Sequence, residues 1–220
     1  MDNDNTPLLI MLAGPNGAGK STFYDNFIKN DCFLSKIERV CYDDISKANP
    51  DDDWVEAGLK TLNMVGEHIK NRKSFLYETT GSDFSSGKFM KMAKNNGFQT
   101  ALIFIGIDSA ELSAARVKNR VADGGHDVLA AEDIFNRYPL SLKKLPDLME
   151  LADFSILFDN SGKAPFLPVL IKDCDNVKDC GYRPKWFEKI SDHIDLSSPN
   201  RISSDLSKKF ADLCKNSHAR

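Results

Sequence analysis

The sequence predicts an α/β fold, a doubly wound and mainly parallel sheet with a helical lid, and three observations predict it. Leu8–Ala13 (LLIMLA) is a continuous apolar run, the pattern of a strand buried on both faces. Thr100–Ile107 (TALIFIGI) repeats that pattern. Around these two, short apolar strands alternate with segments of helical periodicity, the order of a single α/β unit.

The elements follow in chain order. After the first strand comes a glycine-rich turn and a helix over Ser21–Lys29. Ile37–Tyr42 reads as a second strand ending at Asp43 and Asp44. Residues 54–71 place Trp54, Val55, Leu59, Leu62, Val65 and Ile69 mostly at helical spacing. Ser74–Tyr77 is a third strand, ending at Glu78, Thr79 and Thr80. A helix over about 85–96 closes at Asn96-Gly97, a C-cap pair. After the Thr100–Ile107 strand, Asp108-Ser109 caps a helix running to about Val121. A glycine-containing connection, Asp123–Val128, leads to a helix from Ala131 to Leu151. Phe154–Phe158 is a further strand ending at Asp159-Asn160-Ser161. Pro165–Ile171 reads as an edge strand, because proline cannot donate to a ladder. Residues 1–172 form the expected domain. Residues 173–220 are the C-terminal extension, a polar loop and a terminal helix near Ser203–Asn216 packed on the domain.

Composition narrows the function classes. The 220 residues are 41% hydrophobic and 28% charged, as in a globular protein. The net charge is −3 with no basic block, which argues against a dedicated nucleic-acid binder. No stretch approaches the roughly 20 apolar residues of a membrane span. The acidic, polar N-terminus lacks the pattern of a secretory signal. Five cysteines, odd in number and without zinc-ligand spacing, read as reduced thiols in a cytoplasmic compartment.

Gly14-Pro15-Asn16-Gly17-Ala18-Gly19-Lys20-Ser21 fits the pattern G-x-x-x-x-G-K-[ST]. Inward-turned backbone N–H groups cradle a polyphosphate, which requires conformations that glycine tolerates. The loop opens a helix whose N-terminus favours anions. Lys20 reaches the β and γ phosphates of ATP or GTP, and the Ser21 hydroxyl ligates Mg²⁺. A chance match would not fall between a buried strand and a helix. An ABC-type ATPase shares this loop, but the chain has no LSGGQ-like signature.

Ligands of open α/β sheets sit beyond the carboxyl ends of the strands, where Asp43 and Glu78 fall. Transfer to a hydroxyl needs a carboxylate that orients the attacking oxygen and takes its proton. Asp43 or Asp44 would serve equally well as a helix cap before Ile45. Thr79 and Thr80 offer hydroxyls to a phosphate or acceptor, or simply close the strand end. Arg116 and Arg120 share one helix face, and Arg137 lies on the next helix. Guanidinium groups there suit a lid over the γ-phosphate, although exposed helical arginines are commonly just solvated. His126, after two glycines, is a substrate contact, a cap or a packing residue.

Several motifs then stand in order: GPNGAGKST at 14–22, YDDIS at 42–46, YETT at 77–80, RVKNRVADGGHDV at 116–128, RYPLSL at 137–142 and DNS at 159–161. Together they resemble the zeta-toxin family over about residues 7–172. The resemblance implies a P-loop kinase fold and transfer of the γ-phosphate to the 3′-hydroxyl of a UDP-linked amino sugar, typically UDP-N-acetylglucosamine. It also implies a bacterial toxin held by an antitoxin protein. On this resemblance Lys20, Ser21 and Thr22 belong to the nucleotide loop, and Asp43 is the general base. Glu78 and Thr80 lie on the acceptor side, Arg120 and Arg137 clamp phosphate, and Asn160 lies near the nucleotide base. The chain departs from the family at Cys41, at Gly81-Ser82-Asp83 and at Leu140, all on the acceptor side or lid. A kinase for another acceptor (a dinucleotide, a nucleic-acid end, or itself) and a non-catalytic nucleotide switch stay open beside this reading.

Overall fold

The computed structural model describes residues 6–122, 131–174, 176–195 and 210. A seven-stranded sheet organises them. Its strands are β1 (Leu8–Ala13), β2 (Glu38–Cys41), β3 (Phe75–Thr79), β4 (Gln99–Gly106), β5 (Phe154–Asp159), β6 (Leu167–Asp173) and β7 (Asn176–Asp179), in the order β2-β3-β1-β4-β5-β6-β7. The first five strands are mutually parallel, and β6 and β7 are added antiparallel. The chain leaves β1 to build one side of the sheet and returns past it to build the other. The strand order therefore reverses at β1, and a crevice opens at its carboxyl end.

The helices are α1 (Lys20–Phe23), α2 (Tyr42–Ala48), α3 (Trp54–Lys70), α4 (Phe84–Asn95), α5 (Ala110–Ala122), α6 (Ala131–Leu151) and the short α7 (Lys185–Glu188). α1 continues as a π-helical turn over Tyr24–Ile28, closed by Lys29 N–H donating to the Tyr24 carbonyl at 2.8 Å. α3 starts on a capping box in which Asp53 and Glu56 satisfy each other's backbone N–H groups. No described helix is long and apolar enough to cross a membrane.

Every residue of β1 and β5 is buried, as their unbroken apolar runs require. Beneath the first loop Phe23 packs on Phe158 and Phe166, at ring separations of 5.0 and 5.2 Å. At the other side, fully buried Trp186 lies where any Cβ on Gly106 would stand, 2.2 Å away.

Four expectations change. β6 is not an edge, because β7 pairs with it; Pro168 is tolerated beside a register shift opposite Phe158. Glu78 and Thr79 lie inside β3 and not beyond it. Asp43 stands in the first turn of α2. The boundary expected at residue 172 falls within β6, so the described part of the extension continues the same sheet. The Asp123–Val128 connection, and the helix expected near Ser203–Asn216 apart from Phe210, lie outside the described residues.

Candidate active site

The loop Gly14–Gly19 leaves β1 at the point of strand-order reversal and enters α1. Its turns need glycine. Gly14 has φ 146°, and a Cβ there would lie 2.2 Å from the Ile105 carbonyl oxygen. Gly19 has φ 96°, and a Cβ would lie 2.6 Å from Asn160 Nδ2. Pro15 and Ala18 are buried, while Asn16 and Gly17 remain partly accessible.

Neighbouring elements hold this loop by its carbonyl groups. Ser113 Oγ donates to the Asn16 carbonyl at 2.5 Å, and Asn160 Nδ2 to the Ala18 carbonyl at 2.8 Å. Arg116 Nη1 reaches the Gly17 carbonyl at 3.5 Å. Burial holds the Arg116 guanidinium below its usual range, partly offset by Asp159. Carbonyls tied outward in this way leave the loop N–H groups for an anion.

Lys20 Nζ folds back onto the carbonyls of Gly14 (2.8 Å) and Pro15 (3.2 Å). Burial pushes its amine below the usual lysine range, against the charges of Glu78 and Asp43, which raise it. Arg120, although exposed, lies close enough to lower it further. Asp43 and Lys20 therefore share one electrostatic site.

Ser21 Oγ donates to Glu78 Oε1 at 3.4 Å. Glu78 is only 9% exposed, and a buried carboxylate demands a partner. That partner is Arg39, which sequence reasoning missed. Arg39 Nε and Nη2 donate to Glu78 Oε2 at 3.1 and 2.5 Å, and Nη2 reaches Ser21 Oγ at 3.4 Å. Burial works against the guanidinium's charge, but Glu78 and Asp44 raise it above its ordinary value. The same surroundings act on Cys41: burial and Glu78 push its thiol up to about 11, so it stays protonated.

The remaining expected residues divide. Thr79 is buried and engaged with Ser86 Oγ (3.3 Å) and the Gly81 N–H (3.2 Å), so its hydroxyl shapes the turn. Thr80 contacts Ser82 Oγ at 2.7 Å, and its carbonyl accepts from Ser141 Oγ at 2.6 Å. Thr22 is exposed on α1. Arg137 is exposed on α6, and no contact among the described residues ties it to the loop. His126 lies outside the described residues.

A strand-loop-helix cradle at the switch point, with Glu78 on the neighbouring β3 and Asp43 opening α2, defines a zeta-toxin-like P-loop kinase fold. The solved structures agree on that fold. The ATP complex of AvrRxo1-ORF1:-ORF2 aligns with a TM-score of 0.64 at 14% identity, covering 96% of this chain and 71% of that one. The PezAT toxin-antitoxin system of Streptococcus pneumoniae aligns with a TM-score of 0.54 at 16% identity, covering 96% and 85%. No family model matches the chain. The chain belongs to the same family as an uncharacterized protein of Haemophilus influenzae (strain ATCC 51907 / DSM 11121 / KW20 / Rd), to which it is 36% identical over 131 residues, 57% of this chain and 87% of that protein.

Proposed function

We propose that this protein is a cytoplasmic kinase that transfers the γ-phosphate of ATP or GTP to a hydroxyl of a small molecule. The acceptor class is a nucleotide sugar of the UDP-N-acetylglucosamine type. One arrangement carries the reading: Ser21, next to Lys20, faces Glu78 on β3 at 3.4 Å, and Asp43 opens α2 just past β2, the strand paired with β3. Phosphate grip, cation ligand and acceptor-side carboxylates thus meet in one place. Lys20 draws charge from the β and γ phosphates. Asp43 orients the acceptor hydroxyl and takes its proton. Glu78 accepts a hydrogen bond from the acceptor, and Arg120 approaches the phosphates from α5.

The hard hydroxyl oxygen of Ser21, in the first turn of α1 where the loop ends, suits Mg²⁺. Ser21 would hold the ion together with the β and γ phosphates. Bound there, it supplies positive charge where the transferred group gains negative charge.

The zeta-toxin resemblance supports a toxin restrained by an antitoxin protein, and the aligned AvrRxo1 and PezAT assemblies support it as relatives in fold. The test uses γ-labelled ATP, Mg²⁺ and a bacterial metabolite extract. Mass spectrometry should find one nucleotide sugar that has gained a phosphate, absent with Lys20→Ala. Label in another metabolite class would replace the acceptor; no labelled species at all would falsify the kinase reading.

A further inference from the structure

Arg39 lies on β2, and its register places it beside the site. Cys41 pairs with Glu78 and Arg39 with Leu76, so Arg39 and Glu78 are diagonal neighbours on one face of the sheet. The side chain is 13% exposed and fixed at every end. Its guanidinium stacks 4.4 Å from the centre of the Tyr24 ring. Nη1 lies 3.4 Å from Asp44 Oδ2, and Nη2 also reaches Cys41 Sγ at 3.5 Å. Both donors aimed at Glu78 fall on the same oxygen, Oε2. Oε1 faces Ser21.

We infer that Arg39 is a positioning residue that holds Glu78 out of the cation's coordination shell and keeps it for the acceptor hydroxyl. Asp43, Asp44 and Glu78 bring three carboxylates to this side of the loop. A divalent cation held at Ser21 would recruit Glu78 as a second ligand if its charge were uncompensated. The guanidinium prevents this by compensating that charge, its positive group held against the carboxylate by the two donors on Oε2. The inference rests on the kinase reading for its meaning, but the electrostatic claim stands on this geometry alone.

The test measures Mn²⁺ binding by electron paramagnetic resonance, in the nucleotide-free protein and with a non-hydrolysable ATP analogue. Arg39→Met should bind Mn²⁺ at least about tenfold more tightly than the wild type, which corresponds to about 1.4 kcal/mol. The gain should vanish in Arg39→Met/Glu78→Gln. Arg39→Lys, which keeps the charge, should stay within about threefold of the wild type. If Arg39→Met does not fold, Arg39→Gln carries the same expectation. Unchanged or weaker Mn²⁺ binding, or a gain that persists without Glu78, overturns the inference. A wild type that does not bind the analogue sinks the kinase reading instead, and the nucleotide-free comparison still decides the role of Arg39.

Discussion

The side-chain amide of Asn160 donates to the Ala18 carbonyl at 2.8 Å, joining the end of β5 to the phosphate loop across 142 residues. Asn160 is itself held, its backbone N–H donating to the Gly106 carbonyl at 2.9 Å. Its neighbour Asp159 is fully buried and accepts from Ser161 Oγ, Tyr182 OH and Trp186 Nε1, at 2.5, 3.1 and 2.8 Å. The C-terminal segment thus braces the Gly14–Gly19 loop through two adjacent residues. Asn160→Ala should weaken nucleotide binding by about fivefold to tenfold, the worth of one lost positioning hydrogen bond. Asn160→Asp should do worse, because a carboxylate repels both the Ala18 carbonyl and the triphosphate. Calorimetric titration with Mg²⁺–ATP checks both, and equal affinities would remove Asn160 from the site.

Lys20 should cost the nucleotide-free protein stability. Its amine is held by burial below the ordinary value of 10.5. The folded chain therefore releases this proton more readily than the unfolded chain, and stability rises with pH as the folded value is passed. Lys20→Met removes that penalty at neutral pH, so its Tm should exceed the wild type's by a few degrees, about 2–4 °C per kcal/mol relieved. The difference should shrink as pH climbs toward 10.5. The same variant should lose the Tm gain that Mg²⁺–ATP gives the wild type. Thermal melts across pH, with and without nucleotide, read all three effects.

Asp153 anchors β5 to β4. It accepts from Lys94 Nζ at 2.8 Å, and from the backbone N–H and hydroxyl of Thr100 at 2.9 Å each. Burial raises its carboxyl, but these donors win and hold it below the usual carboxylate range. Its contribution is fully present above the unfolded value and lost as pH falls through the folded one. Asp153→Asn should cost about 1–2 kcal/mol at pH 7, with solvent screening the Lys94 partner. Urea melts should show the gap to the wild type closing only below about pH 4.

Thiol chemistry offers a test of the buried corner. Cys32 and Cys174 are exposed, whereas Cys41 is buried with its thiol pushed up to about 11. At pH 8 its thiolate fraction is about one in a thousand, so iodoacetamide should label Cys32 and Cys174 at least ~100-fold faster. Early labelling of Cys41, read by peptide mass spectrometry, would contradict the packing of Arg39 and Glu78 around it.

The phosphate loop was legible because its chemistry is local: an apolar strand, glycines at fixed offsets, then Lys20-Ser21. The position of Asp43, just past β2 in the first turn of α2, was legible because the apolar run ends there and two acids follow it. Arg39 was not. It is one of two adjacent charges, Glu38 and Arg39, in the strand IERVCY, and only the β2–β3 register, a long-range property, sets it diagonal to Glu78. The bracing by Trp186 was hidden for a related reason. RPKWFEK has no periodicity long enough to read, yet Trp186 and Phe187 are both fully buried. The partner of Trp186, Gly106, lies in a distant strand.

The central claim is that Asp43 acts on an acceptor hydroxyl beside a nucleotide held at Lys20. Its most direct test is the rate of γ-phosphate transfer at saturating Mg²⁺–ATP, with a bacterial metabolite extract as the acceptor source, for the wild type and Asp43→Asn. The account predicts a fall of about 10²–10⁴-fold, the usual worth of a general base, with nucleotide affinity changed less than about threefold. Equal transfer rates from the two proteins would contradict it.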